Sequence, residues 1–481
     1  MRFMSRKKFK IMSVIMVYIF IDLFILKEMI AINYDDNTIR FISIVSSFEL
    51  ISTFIMWKKL TGEYISPFFI VYFVAVMFGI GQCFCWALGI NMGEIDLLQY
   101  IPRIDKLYIG EALQYSLVGL LLFFVGSVWT YNENVARIRH YEMYDDIIGL
   151  KTIKVVSTIL LIVSFPCMFI NYIRIIPAVI ANGYLGYYSS VSEYSQMGQF
   201  IPLIASWFPI ALLMKYAIHV SSNKVYAKID TVVLIIYIAI VLFIGGRSGA
   251  VLVILAFLLT KQYFGTPITK KDIIPVGIAG YFSMGILSAI ARTRTQTNRT
   301  LGSFFSSFSM TSIVGSLIGE LGWSMSSLAW TMQLIGANGE FRLGESYLYA
   351  LSAVIPNLGF WKTHPALKAN LGDWMQQELG RSSGLGYTFI AETFANFSWF
   401  GLLAMFIWGM IIGKILNSVT YESAKKDYKR AFLVIMLIST VLKAFVRSSF
   451  SAVMRQLFFT VLLIYFMMLI VENYLKKKER N

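Results

Sequence analysis

Histidine and cysteine are nearly missing from this chain, with three of each in 481 residues. Cys83, Cys85 and Cys167 fall inside apolar runs. They are too few and too enclosed for a disulfide framework or a zinc site, and read as packing residues. Only His364 falls on the expected outer face, which argues against a multi-histidine metal centre, so no metal is expected. No glycine-rich nucleotide loop or Walker-type sequence occurs, and no cofactor is expected. Charge is scarce too: 14% of residues are charged, against about 25% in an ordinary soluble protein. That excludes a large water-soluble domain. Internal repeats, linkers and low-complexity tracts are also lacking.

What fills the chain instead is apolar sequence, 57% of it hydrophobic and 16% aromatic. Runs of roughly 17–25 apolar residues recur along its length, long enough to cross a bilayer as helices. Backbone groups cannot stay unpaired in lipid, so these runs must be helical. The expected fold is all-α and polytopic, with about 12 spans near 11–31, 39–56, 66–88, 108–130, 152–174, 199–217, 229–245, 248–263, 272–291, 387–413, 431–446 and 455–474. The basic start, Arg2 to Lys10, followed by a long apolar run without a small-residue cleavage site, reads as a start-anchor helix.

The formal net charge of +15 would point to nucleic acid in a soluble protein. Here the lysines and arginines collect in short connections, including Lys58-Lys59, Arg137/Arg139, Lys224/Lys228, Lys270-Lys271, Lys425-Lys426/Lys429-Arg430 and Lys476-Lys477-Lys478. They obey the positive-inside rule with both termini cytoplasmic, so no nucleic-acid partner is expected. Gly245-Gly246-Arg247-Ser248-Gly249 divides residues 229–263 into two arms, which read as a hairpin. Residues 292–386 form one long outer segment, with stretches at 304–335 and 346–361 expected as interfacial or re-entrant helices. The expected organisation is thus a membrane domain over 1–291, an extracytoplasmic loop over 292–386, and a membrane domain over 387–481.

Cytoplasmic cations are mostly lysine, whereas outer ones are mostly arginine: Arg40, Arg103, Arg174, Arg247, Arg292, Arg294, Arg299, Arg342, Arg381, Arg447 and Arg455. Lysine suffices as a topological charge. Arginine carries a rigid fork that grips phosphate or carboxylate bidentately. Near membrane depth such residues mark substrate paths, although snorkelling to headgroups accounts for a single one. The group points to an anionic substrate at the outer leaflet.

Two carboxylates stand in apolar settings: Glu320 in Ile318-Gly319-Glu320-Leu321-Gly322, and Glu392 in Phe389-Ile390-Ala391-Glu392-Thr393-Phe394. Each fits a general base, a sugar-hydroxyl ligand or an arginine-paired packing residue. His364, before Pro365, is a further proton acceptor or an ordinary loop residue. Asp22 and Glu49 read as interhelical glue. The tyrosines of Tyr184–Tyr194 suit either sugar stacking or an interfacial belt.

Several segments resemble the O-antigen and capsular polysaccharide polymerases of the Wzy type: Gly245-Gly246-Arg247-Ser248-Gly249, Glu320-Leu321-Gly322, Gly344-Glu345-Ser346-Tyr347, the Pro356 segment, and Gly384-Leu385-Gly386-Tyr387-Thr388-Phe389-Ile390-Ala391-Glu392 with Asn396-Phe397. The resemblance runs over roughly residues 230–415. It departs at Ser398, where glycine is the usual continuation. It implies a GT-C-like membrane glycosyltransferase of a bacterial cell (inner) membrane. Its substrates would be oligosaccharide repeat units on undecaprenyl pyrophosphate, and its expected partner a chain-length regulator. Arg247, Arg292 and Arg294, with Arg381, Arg447 and Arg455, would then steady the leaving pyrophosphate. Glu392, Glu320 or His364 would accept the incoming hydroxyl's proton. The alternatives are a lipid-linked oligosaccharide flippase or other transporter, and a glycan ligase using the same donor. Unequal loops and one-sided arginines argue against the repeat architecture of transporters.

Overall fold

The computed structural model describes residues 5–26, 28, 35–63, 65–99, 104–132, 147–182, 200–222, 224–266, 268–269, 271, 313–355, 361–381, 386–419, 424 and 427–480. Its helices, in chain order, are α1 (Arg6–Phe20, running into a wide π turn at Ile21–Leu26), α2 (Asp36–Thr61), α3 (Pro67–Leu88) and α4 (Lys106–Thr130). They are followed by α5 (Ile147–Asn182), α6 (Phe200–Ala205), α7 (Phe208–Ser222), α8 (Lys224–Phe243) and α9 (Arg247–Phe264). Then come α10 (Ile313–Gly322), α11 (Ser326–Asn338), α12 (Glu345–Ala350), α13 (Leu371–Glu378), α14 (Phe389–Phe397) and α15 (Gly401–Leu416). The last are α16 (Tyr428–Met436), α17 (Leu442–Arg447), α18 (Phe450–Gln456) and α19 (Leu463–Arg480). The described residues contain no strand.

Among the described residues, eight helical stretches are long and apolar enough to cross a membrane, and Ser248–Phe264 is a shorter apolar one. The protein is an all-α polytopic membrane protein. Of the other expected spans, 11–31 corresponds to α1 with its π turn and 431–446 to α16 and α17, while 272–291 lies outside the described residues. The expected break at Gly245-Gly246 is present. Gly245 takes φ of +89°, α8 stops, α9 restarts at Arg247, and the two helices pack together.

Chain ends of these helices follow local chemistry. Ser66 is extended and accepts from the Phe69 amide at 3.2 Å, Pro67 opens α3, and Gly89 closes it at φ of +67°. Asp35 caps α2 through the Thr38 amide at 2.8 Å, and Gly62 ends it at +78°. Side-chain oxygens satisfy the orphan amides at one end, and glycine turns the chain at the other.

The helices form two compact units. One comprises Met1–Ala136, Val314–Ser418 and Ala444–Arg455; the other comprises Arg137–Ile313, Val419–Lys443 and Gln456–Asn481.

In the first unit α4 is the axis. It is apolar all round and almost wholly buried, as such a helix must be. Its tightest neighbour is α15. Gly126 lies against the Phe406 carbonyl, Gly409 against the Phe123 carbonyl, and Gly413 against Ser127, so the two backbones touch with no side chain between them. Small residues at such crossings are how helices associate in lipid, where no hydrophobic drive holds them. Leu403, Ile407 and Ile411, spaced by four, point outward from α15 as a lipid-facing stripe.

The α10–α11 stretch is packed inside the first unit. Gly322 presses on Gly81 of α3, and Gln82 donates to the carbonyls of Ile95 (2.6 Å) and Gly319 (2.9 Å) while accepting from Leu97 (3.0 Å). Met325, Leu328, Ala329 and Trp330 are buried. The Ser and Gly interruptions that make this segment look unlike a span are the residues that let it pack so closely.

In the second unit α7 packs against α5, α8 and α9, and α5 also meets α19. His219 and the buried Asp230 pair at 2.6 Å across the α7–α8 turn. Lys429 pairs with Glu472, which also meets Lys476 at 2.6 Å. The Tyr263 hydroxyl donates to the Val419 carbonyl at 3.2 Å.

Candidate functional site

The first unit holds a buried polar cluster at the start of α14. Thr388 is extended and accepts from the Ala391 amide at 3.1 Å, which starts the helix. The α11 side chains fix that start from outside: Ser327 meets Thr388 at 3.2 Å and Thr331 meets the Tyr387 hydroxyl at 2.8 Å. One turn on, Glu392 is almost fully buried, at 1% exposure.

Neutral donors hold that carboxylate. Ser346 donates to Oε1 at 2.8 Å and the Phe450 amide donates to Oε2 at 2.7 Å. Asn396, one turn further along α14, uses its amide nitrogen on both the Ser346 hydroxyl and the Glu392 carbonyl, each at 2.8 Å. Its Oδ1 accepts from the Gly344 amide at 3.0 Å, which fixes the side chain's orientation. The direction of every hydrogen follows. Asn396 donates to Ser346, so Ser346 must give its hydrogen to Glu392. Three successive amides, those of Arg342, Leu343 and Gly344, bind the end of α14 through Ala395 and Asn396. Gly344 and Leu343 take φ of +89° and +49° to do so.

Beside Glu392 lies a small cavity, with room for about one water-sized group, lined by Tyr347, Phe389, Glu392, Trp408, Phe445, Ser448, Phe450 and Val453. The rings lean on one another: Phe389 stacks on Phe445 at 4.1 Å, and Phe450 meets Tyr347 at 5.2 Å and Trp408 at 5.3 Å. The Tyr347 hydroxyl is buried and makes no hydrogen bond of normal geometry. Burial pushes its phenol well above the ordinary value, and the Glu392 charge adds to that. It keeps its hydrogen.

The other expected site residues are distributed as follows. Arg447 ends α17 next to the cavity-lining Ser448; its carbonyl accepts from the Tyr387 amide at 3.2 Å, and its side chain lies against Gly386. Arg381 is half-buried beyond α13, and Arg455 is exposed on α18. Arg247 is the first residue of α9, in the second unit. Arg292 and Arg294, with Arg103, Arg299, Pro356, Gly384, Leu385 and the 184–194 loop, lie outside the described residues. Glu320 is half-buried on α10, away from the cavity lining. His364 holds a turn: Nδ1 accepts from the Ala366 amide at 3.1 Å, so Nε2 carries the hydrogen and donates to the Ile355 carbonyl at 2.8 Å.

Sequence reasoning did not single out Ser346, Tyr347, Asn396, Trp408, Ser448 or Phe450. The first three fall within segments that carry the family resemblance, and those segments are the ones the fold stitches together around Glu392. A family model for O-antigen polysaccharide polymerase Wzy matches residues 8–479. The chain belongs to that family. The match extends well beyond the 230–415 stretch in which the motifs are visible. No curated protein and no solved structure matches the chain.

For a Wzy polymerase, the departure at Ser398 has a structural cost. Ser398 follows α14 with φ of +54° and ψ of −140°, a region natural to glycine. Ser398→Gly is expected to raise stability by about 1 kcal/mol, the lower end of such strain. A thermal unfolding curve in detergent would measure it, and an unchanged midpoint would show the strain relieved elsewhere.

Proposed function

We propose that this polymerase lengthens a lipid-linked polysaccharide at the outer face of a bacterial cell membrane, with Glu392 as the base. The donor is the growing glycan on undecaprenyl pyrophosphate and the acceptor is a lipid-linked repeat unit. The acceptor hydroxyl oxygen bonds to the donor's anomeric carbon as the carbon–oxygen bond to pyrophosphate breaks. The proton passes to Glu392, and the electron pair leaves on the diphosphate.

One observation carries this reading: a buried carboxylate, held only by neutral donors among the described residues, opens on a cavity lined by an unsatisfied phenol. A packing carboxylate at such depth would ordinarily be matched by a cation. Each Glu392 oxygen retains lone-pair capacity for a proton. Glu320 and His364 remain weaker candidates, since one is away from the cavity and the other spends both ring nitrogens on backbone.

The leaving diphosphate needs preorganised positive charge. Arg247, Arg292 and Arg294 are assigned that part, with Arg381, Arg447 and Arg455 as further contributors. Arg247→Lys keeps the charge and loses the fork, so polymer formation should fall roughly 10²-fold, the loss typical of one transition-state donor, while membrane insertion is retained. Gel profiles of polymer from cells carrying the variant test this; normal chain lengths would remove Arg247 from the clamp. The whole reading is tested by reconstitution with lipid-linked repeat units, where higher multiples must appear. Persistence of single units would refute it.

A further inference from the structure

We propose that the Tyr347 hydroxyl is a substrate-binding donor that hydrogen-bonds the oxygen of an alcohol group entering the Glu392 cavity. The proposal rests on the reading of Glu392 as the base and adds the group that holds the incoming hydroxyl in front of it.

The ring of Tyr347 is held on three sides. It stacks on Phe397 at 6.1 Å and 14°, meets Phe450 edge-on at 5.2 Å, and faces Trp408 at 6.4 Å. Its backbone is equally fixed, since α12 starts at the Gly344 turn that is bonded to Asn396. The hydroxyl therefore cannot swing to another acceptor. A buried hydroxyl without a partner destabilises a fold, and phenylalanine would supply the same shape without that cost. Trp408 can only donate, so whatever its indole does, the Tyr347 hydrogen is left unspent.

The cavity's own groups select the ligand class. Tyr347 offers a hydrogen, and Glu392 offers lone pairs with negative charge. A phosphate oxygen would satisfy the phenol and be repelled by the carboxylate. An ammonium would satisfy the carboxylate and leave the phenol unspent. An alcohol does both, accepting from Tyr347 and donating to Glu392. The space beside Glu392 has room for about one water-sized group, so a saccharide would enter it by a single hydroxyl. Sugar rings also present C–H faces that suit the surrounding Phe445, Phe450 and Trp408.

The experiment uses the full chain in proteoliposomes supplied with lipid-linked repeat units. Tyr347→Phe and Glu392→Gln are compared with the parent for thermal midpoint and for rate across substrate concentrations. Tyr347→Phe should keep or raise the midpoint and lower the rate at limiting substrate by about tenfold, the worth of one hydrogen bond. A parental rate at every concentration would overturn the proposal, the hydroxyl then meeting only water. A lowered midpoint would overturn it too, because the hydroxyl would have a protein partner. Should Glu392→Gln stay active while Tyr347→Phe is impaired, the base assignment falls and the binding role stands. If Glu392→Gln is inactive and Tyr347→Phe is normal, only the present proposal falls.

Discussion

Glu392→Gln should stop polymerisation, by about 10²–10⁴-fold if loss of the general base is the only effect, in a protein that still inserts and folds. The expected survival of the fold follows from the hydrogen-bond directions around residue 392. Glutamine keeps one oxygen, which can go on accepting from the Phe450 amide. Its new NH₂ would face Ser346, whose oxygen has a second lone pair beyond the one given to Asn396. One hydroxyl hydrogen is left over, at about 1–3 kcal/mol. That is a tolerable fraction of a stability of about 5–15 kcal/mol. Glu392→Ala is a poorer probe, since it leaves both the Ser346 hydroxyl and the Phe450 amide without their acceptor. Turnover of lipid-linked units by purified Glu392→Gln is the measurement. Undiminished turnover would remove Glu392 as the base and leave it a link between α14, α12 and α18.

Gly409→Leu is expected to prevent accumulation of folded protein. The α4–α15 crossing has no gap: even a Cβ at residue 409 falls inside contact with the Phe123 carbonyl, and a Cβ on Gly413 would sit 2.5 Å from Ser127 Oγ. Both obstacles belong to a helix buried on nearly every side, so α4 cannot retreat. Ordinary overpacking costs about 1–3 kcal/mol because side chains yield; here the obstacle is backbone, and the cost should exceed that range. Gly339→Ala is the contrasting change. Gly339 has φ of +72° but open space around it, so only backbone strain of about 1 kcal/mol is expected. Size-exclusion profiles of detergent extracts would separate the two. A monodisperse Gly409→Leu would mean that the crossing is looser than its geometry.

These contrasts indicate how far the sequence could be read. Hydropathy located most described helices to within a few residues: the apolar run expected over 66–88 is α3, Pro67–Leu88. Lipid imposes helix on any long apolar run, and Ser66, Pro67 and Gly89 mark the ends of this one. Hydropathy was weakest at α10–α11. Serines and glycines lower its apolar average, yet Gly322 and Ser327 are small because other elements approach there. Glu392 was visible as a carboxylate in an apolar setting. Its donors were not, because no periodicity foretells that Ser346, 46 residues earlier, turns toward it. Trp408 and Phe450 look in the sequence like any other aromatic residues of a span.

The stitching of residues 342–344 to the end of α14 leaves the polypeptide no slack as it enters the site. Those peptide groups are already committed, so this stretch cannot act as the moving part when a long glycan arrives and departs. Any flexing that admits a chain growing by successive additions must be accommodated before or after it. The polymerase would then keep a stationary anvil at residues 342–347 while the product slides past.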